Sequence, residues 1–152
     1  MLKEGSTAPA FTTKDAEGRT VRLKDFRGQK VVLYFYPKDD TPGCTKEACS
    51  FRDTFADFRK QGINVLGIST DNETSHQKFV KKYKLPFTLL TDTGHAIADA
   101  YGTYGQKKFM GRTYMGVKRT TFLINEKGKI KKIFEKVKPD EHAGEVLQAF
   151  GD

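Results

Sequence analysis

Two cysteines, Cys44 and Cys49, are the side chains of this 152-residue chain best suited to nucleophilic or redox chemistry. Cys44 follows the apolar run 31–36, whose β-branched and aromatic residues predict a buried strand. The pair Thr41-Pro42 then predicts the start of a helix, with a hydroxyl N-cap and a proline at the first helical position. Cys44 is therefore predicted to lie in the first turn of a helix, directly after a buried strand.

The first turn of a helix favours the thiolate form of a cysteine. Unpaired backbone N–H groups are available there, and the positive end of the helix dipole adds to their effect. An unperturbed cysteine, with a pKa of about 8.5, is only roughly 3 % thiolate at pH 7, and lowering the pKa by about two units makes the thiolate the major species. The alternative is a small, inert, buried cysteine, but the position after a strand and at a helix start favours a reactive one.

The residues around Cys44 resemble the active-site signature of the peroxiredoxins. The spacing Pro37-x-x-x-Thr41-x-x-Cys44 matches that signature. The longer run 36–49, YPKDDTPGCTKEAC, resembles the bacterioferritin comigratory protein branch, also called peroxiredoxin Q. Three downstream segments are also similar to this branch, so that the resemblance covers nearly the whole chain: 67–71 (GISTD), 89–92 (LLTD) and 119–124 (RTTFLI).

This resemblance implies a thioredoxin-dependent peroxidase that reduces hydrogen peroxide and organic hydroperoxides. Cys44 is then the nucleophile, and it becomes a sulfenic acid. Thr41 lies three residues earlier, so its hydroxyl can donate to the peroxide, and Pro37 shields the cysteine from solvent. By resemblance, Arg119 stabilises the thiolate and polarises the peroxide oxygens, and Glu47 orients Arg119.

Three of these residues have ordinary alternative roles. The N-cap role also explains Thr41, and both roles are compatible because a hydroxyl donates and accepts. Glu47 is alternatively an exposed helical glutamate. Arg119 is alternatively a solvated charge at a strand end, and only the motif distinguishes it from Arg112.

Cys49 is the resolving cysteine that the resemblance implies. It condenses with the Cys44 sulfenic acid to an intramolecular disulfide, which thioredoxin or a similar dithiol reduces. In an intact helix, five residues separate two side chains by roughly 140° around the axis and about 7.5 Å along it. A disulfide cannot span that separation, so the helix has to unwind locally. The alternative is a structural Cys49 with an external thiol as the resolving group.

The other elements are predicted from periodicity and turn residues. The helix that follows Cys44 ends at Gly62, and residues 101–116, rich in glycine and aromatic residues, are predicted to form an irregular loop near the active site. The remaining predictions are a hairpin at 11–13 and 20–23, strands at 64–69, 87–90, 120–125 and 129–134, and helices around 72–83, 96–101 and 143–150.

This order of elements is that of the thioredoxin-like fold. The resemblance implies its peroxiredoxin variant, an α/β fold with a central mixed sheet, flanking helices and an N-terminal β-hairpin. The length of 152 residues suits a single domain spanning residues 1–152.

Composition indicates a soluble protein: charged residues make up 30 % and hydrophobic residues 37 % of the chain. We find neither an apolar run long enough for a membrane helix nor a signal-peptide core, which predicts a cytoplasmic location. In that compartment a disulfide is usually transient. The three histidines are scattered at 76, 95 and 142, so we expect no metal and no cofactor.

The net charge of +8 comes with lysine clusters at 78–84, 107–108 and 127–138. In the last of these, the charges alternate with apolar residues as on a half-exposed strand. No nucleic-acid motif accompanies them, so a solvated basic face is the interpretation that we adopt. We expect a monomer whose partners are a peroxide and thioredoxin or a similar dithiol, with neither nucleic acid nor membrane.

Two other functions are compatible with a reactive cysteine. A disulfide oxidoreductase of the thioredoxin type normally has C-x-x-C, whereas Cys44 and Cys49 have four residues between them. A redox sensor or holdase chaperone without turnover is the alternative that is not an enzyme. Consumption of peroxide in the presence of thioredoxin distinguishes the peroxidase from both.

Overall fold

The apolar run after residue 30 forms the middle strand of a five-stranded sheet. In the computed structural model, which describes residues 2–151, a 3-10 turn at Leu23–Phe26 precedes this strand. The strands and helices are, in chain order, β1 (Thr12–Lys14), β2 (Thr20–Arg22), β3 (Lys30–Phe35), α1 (Pro42–Lys60), β4 (Ile63–Ser69), α2 (Glu73–Tyr83), β5 (Thr88–Thr91), α3 (Ala96–Ala100), β6 (Tyr104–Phe109), β7 (Arg112–Val117), β8 (Thr120–Ile124), β9 (Ile130–Phe134) and α4 (His142–Gly151).

The central sheet is mixed and has the strand order β5-β4-β3-β8-β9. Strands β3, β4 and β5 are parallel, whereas β8 and β9 run antiparallel to their neighbours. Because β3 lies in the middle, its side chains are buried on both faces of the sheet. The carboxyl end of β3 leads directly into the loop that carries the sequence motif, so this buried strand anchors the start of that loop.

The two faces of the sheet have separate cores. Tyr34 of β3 and Tyr36, the residue after the strand, pack with apolar residues of α1, α2 and α4. Leu33 and Phe35 point to the opposite face, which is covered by the N-terminal segment, α3 and Tyr101. Helix α1 contributes Cys44, Ala48, Phe51 and Phe58 to the first core, as the predicted helical stripe requires.

The predicted loop at residues 101–116 is wrong: most of it forms the hairpin β6–β7. Met110 and Gly111 make its two-residue turn, and both have positive φ, at 51° and 79°. Such turns favour asparagine, aspartate or glycine at the first position. Methionine there, together with glycines inside the strands, conceals the hairpin in the sequence.

The other predicted elements are present with shifts of one or two residues at their ends, among them the N-terminal hairpin β1–β2. Between residues 2 and 151, no helix is both long and apolar enough to cross a membrane.

Candidate active site

Cys44 is the third residue of α1, and its side chain is buried, with 2 % of the residue exposed. Its sulfur is not in a disulfide. Nη2 of Arg119 lies 3.3 Å from this sulfur and donates to it. The sequence places these residues 75 positions apart, and the antiparallel pairing of β8 with β3 brings them together.

Arg119 immediately precedes β8 and connects Cys44 to Glu47. Its Nη1 donates to Oε1 of Glu47 over 2.6 Å. Burial alone lowers the pKa of the Arg119 guanidinium, but the charges of Glu47 and Cys44 outweigh burial and raise it above its ordinary value. Arg119 is therefore a fixed cation beside the sulfur.

Gly43 makes room for this guanidinium. A Cβ at position 43 would lie 3.1 Å from Nη2 of Arg119, closer than ordinary van der Waals contact. The presence of glycine at this position of the motif therefore has a steric explanation, since the missing side chain allows the arginine to approach the first turn of α1.

Glu47 is not the exposed helical glutamate of the alternative prediction. The residue is buried, and Oε2 has no hydrogen-bond partner among the described residues. Burial raises the pKa of Glu47 to about 7, although the charge and hydrogen bond of Arg119 act in the opposite direction. Glu47 thus titrates near neutral pH while it holds Arg119.

Thr41 is the N-cap residue by backbone conformation, but its side chain does not cap the helix. Its carbonyl accepts from the Thr45 N–H at 2.8 Å, and its hydroxyl donates to the Lys38 carbonyl at 2.9 Å. The predicted hydroxyl N-cap is therefore wrong, because the tight turn after β3 brings the Lys38 carbonyl within reach of the Thr41 hydroxyl. The lone pairs of the Thr41 oxygen remain free to accept a hydrogen bond.

Pro37 lies two residues after β3 and lines a groove of about 430 Å³. The opposite wall of this groove belongs to the β6–β7 hairpin and includes Lys107, Tyr114 and Met115. Residues 101–116, although not a loop, thus lie near the predicted active site, as expected. The groove thus lies beside the loop that precedes α1, with Pro37 and Lys38 in its wall.

Cys49 lies on the same helix as Cys44 and is half-buried, and both thiols are free. Helix α1 is continuous from residue 42 to residue 60, so the first turns are wound in this structure. Both cysteines are therefore thiols within one wound helix.

Comparison with known proteins agrees with this geometry. The model of the AhpC/TSA family matches residues 5–133. The chain belongs to the AhpC/TSA family. It is 51 % identical over 146 residues to a protein of Coxiella burnetii named putative peroxiredoxin bcp, covering 96 % of this chain and 97 % of the relative. It is 47 % identical to the peroxiredoxin Bcp of Escherichia coli K12, covering 96 % and 94 % of the two chains.

Solved structures of peroxiredoxins have the same fold. A cysteine-to-serine mutant of the Xylella fastidiosa PrxQ superimposes with a TM-score of 0.94 at 30 % identity, covering 99 % of this chain and 96 % of the other. The bacterioferritin comigratory protein of Xanthomonas campestris gives a TM-score of 0.88 at 34 % identity, covering 93 % and 90 %. The predicted membership in the peroxiredoxin Q branch, the thioredoxin-like fold and the thiol peroxidase function are confirmed.

Two residues of this peroxiredoxin site were not found by sequence reasoning. Lys107 lines the groove and donates from Nζ to the Val117 carbonyl at 2.9 Å. Burial lowers the pKa of Lys107, and the positive charge of Arg119 lowers it further. No local sequence signal indicates this position, because Lys107 comes within range of the site only through the hairpin.

His142 is the second such residue. It lies in the core, where its Nε2 is 2.7 Å from the Thr121 hydroxyl. Burial lowers the pKa of His142 to about 4, and the charge of Arg119 adds to the effect. A neutral imidazole is therefore buried in the core, where it adds no second positive charge near Arg119.

A buried network anchors the loop between β3 and α1. Oδ1 of Asp39 accepts from the Tyr36 hydroxyl at 2.6 Å, and Oδ2 lies 2.8 Å from the Ser75 hydroxyl and 2.7 Å from Nδ1 of His76. Nε2 of His76 faces the Leu90 carbonyl at 2.8 Å.

Asp39, Asp71 and His76 are close enough to suggest a metal site, but both ring nitrogens of His76 already have protein partners. We interpret the cluster as the support of the Pro37–Thr41 loop.

Proposed function

We propose that Cys44 is the peroxidatic nucleophile of this peroxiredoxin, and the observation that carries this proposal is the Nη2–Sγ distance of 3.3 Å between Arg119 and Cys44. The thiolate sulfur attacks one oxygen of R–O–O–H and the O–O bond breaks. The sulfur becomes a sulfenic acid, and the departing alkoxide takes a proton and leaves as an alcohol, or as water when the substrate is hydrogen peroxide.

Arg119 supplies the positive charge for this step. It faces the sulfur before the reaction and the developing oxyanion during it, and a charge-assisted donor in a dry site contributes more than one in water. Glu47 acts through Arg119, because the 2.6 Å contact fixes the plane of the guanidinium. We therefore assign Arg119 as catalytic and Glu47 as a positioning residue.

Thr41 and Pro37 complete the pocket. The sequence predicts that the Thr41 hydroxyl donates to the peroxide. Because this hydroxyl already donates to the Lys38 carbonyl, we propose instead that it accepts a hydrogen bond from the O–H of the peroxide. Pro37 has no N–H and forms part of the groove wall, where it limits the access of water to Cys44. The orientation of the peroxide thus depends on both ends of the same short loop.

Cys49 is proposed to resolve the sulfenic acid. Its thiol attacks the Cys44 sulfur, the hydroxyl leaves as water, and an intramolecular disulfide forms. Because α1 is wound through both cysteines, its first turns have to open before this bond can form. A dithiol of the thioredoxin type then reduces the disulfide, with the protein acting as a cytoplasmic monomer.

The experiment that tests this cycle is intact-mass analysis before and after one equivalent of peroxide. The parent protein should lose two hydrogens, because it forms the disulfide. Cys49→Ser should instead gain one oxygen, react with peroxide near the parent rate, and lose turnover with thioredoxin. Cys44→Ser should not react. Full thioredoxin-dependent turnover in Cys49→Ser would show that an external thiol resolves the sulfenic acid.

A further inference from the structure

The tip of the β6–β7 hairpin exposes apolar side chains to solvent. Met110 is 87 % exposed and Phe109 is 66 % exposed, and Tyr114 and Met115 of the same hairpin are 47 % and 57 % exposed. In the described part of the chain, these four are the large hydrophobic side chains that are exposed. Scattered exposed apolar residues are ordinary, but a group of them on one hairpin indicates an interaction site.

The backbone of the tip is also unusual. Met110 occupies the first position of the two-residue turn with φ at 51°, a conformation that costs energy for a methionine. Asparagine at this position would make the same turn with less strain. Met110 departs from the residue preference of this turn and is also the most exposed of the large apolar side chains. This combination indicates that the methionine side chain itself has a function.

The charged residues of the hairpin segment are all positively charged. Residues 104–119 contain five cationic residues and no aspartate or glutamate. Arg119 is used at the active site and Lys107 is half-buried in the groove, so Lys108 and Arg112 are the exposed cations nearest the turn. Arg112 is the register partner of Phe109, which places this cation and the aromatic ring on the same face of the hairpin.

We propose that the hairpin tip docks this protein on the surface of an anionic lipid bilayer. Phe109 and Met110 enter the boundary between headgroups and acyl chains, and Lys108 and Arg112 contact the lipid phosphates. A two-residue turn with exposed apolar side chains suits insertion between headgroups, whereas a stable protein–protein interface needs about 800 Å² from each partner. The expectation of no membrane partner rested on the lack of a spanning segment, which docking of this kind does not require.

The test uses the absence of tryptophan from the chain. Phe109→Trp places a single fluorophore at the tip. Its emission should shift to shorter wavelength with vesicles of phosphatidylglycerol and phosphatidylcholine in equal parts, and should not shift with phosphatidylcholine alone. Added salt should reverse the shift, because it screens the cations.

Two variants, measured by co-sedimentation with the same vesicles, separate the apolar and the charged contributions. Met110→Asn fits the positive φ and keeps the fold, and we expect about tenfold weaker binding because an apolar side chain is lost. Lys108→Glu should weaken binding about tenfold as well. Its matched control is Lys78→Glu, an equal charge change at an exposed position of α2, which should bind within about twofold of the parent.

Several outcomes would overturn this proposal. They are no shift and no co-sedimentation with anionic vesicles, equal binding of the parent and Met110→Asn, and equal weakening by Lys78→Glu and Lys108→Glu. A loss of thioredoxin-dependent turnover in Met110→Asn, measured without vesicles, would assign the tip to the protein reductant instead. Vesicle binding is measured without peroxide, so its failure leaves the proposed peroxidase cycle untouched.

Discussion

Nη1 of Arg119 and Oε1 of Glu47 are 2.6 Å apart, and this contact holds the second guanidinium nitrogen against the Cys44 sulfur. The carboxylate is buried on the apolar stripe of α1. A charge in that position is costly unless it is paired. The pair therefore explains why a glutamate occupies a core position and why the arginine has a single orientation.

Replacement of Arg119 by methionine retains an unbranched side chain, although a shorter one, and removes the charge. We expect the reaction with peroxide to slow at least about tenfold, because one charge-assisted donor in a dry site is lost. Alkylation of Cys44 at a fixed pH should also slow, because the cation beside the sulfur is lost. Stopped-flow kinetics and the alkylation rate measure the two effects. Arg112→Met, an exposed control on β7, should match the parent in both assays.

Glu47 makes stability depend on pH. Its pKa rises from 4.5 to about 7 in the folded protein, so the folded state binds more protons than the unfolded state between these values. The free energy of unfolding should therefore fall as the pH rises through this window. Glu47→Gln should show a smaller fall in urea unfolding at several pH values. An identical decline in both proteins would mean that the carboxyl titrates normally.

The ion pair of His76 with Asp39 should also make the free energy of unfolding fall as the pH rises, in a window that begins at about pH 6.5. Burial alone lowers the pKa of His76, but the hydrogen bond and charge of Asp39 outweigh it and raise the pKa above 6.5. Protonated His76 donates from both nitrogens to its two acceptors. Its stabilisation is present below about pH 6.5 and is lost as the pH rises through the folded pKa.

Substitution of His76 by glutamine should remove this pH-dependent contribution and lower stability most at acid pH. His95 is the matched control, because it is also paired with a carboxylate, that of Asp99, but is only half-buried. Urea unfolding between pH 5 and pH 9 measures both variants. If the parent and His76→Gln differ by the same amount at every pH, the histidine is not charged in the folded protein.

Two variants of Thr41 distinguish the contribution of its hydroxyl to the peroxide reaction from the contribution of its side-chain shape. Thr41→Val should react much more slowly with peroxide, because the acceptor for the peroxide O–H is gone. Its loss of stability should stay below about 1 kcal/mol, since the exposed hydrogen bond to Lys38 is all that it removes. Thr41→Ser should retain both properties. A parent-like peroxide rate in Thr41→Val, measured by stopped flow, would exclude a role in substrate binding.

The local features of this protein are determined by its sequence. The apolar run before Pro37 predicts the buried strand, and Thr41-Pro42 predicts the start of α1 to within one residue, because strand burial and proline at the first helical position are local effects. The position of Cys44 in the first turn follows from these two signals alone. The proximity of Arg119 came only from resemblance, since no local pattern links residues so far apart.

Only the tertiary structure decided how the side chains are used. It buries Glu47 and shifts its pKa, because desolvation depends on what packs around the helix. It turns the Thr41 hydroxyl to the Lys38 carbonyl instead of the helix end. It also forms the β6–β7 hairpin through long strand pairing, despite a methionine in the turn. These outcomes arise from contacts between distant segments, and no short stretch of the sequence predicts such contacts.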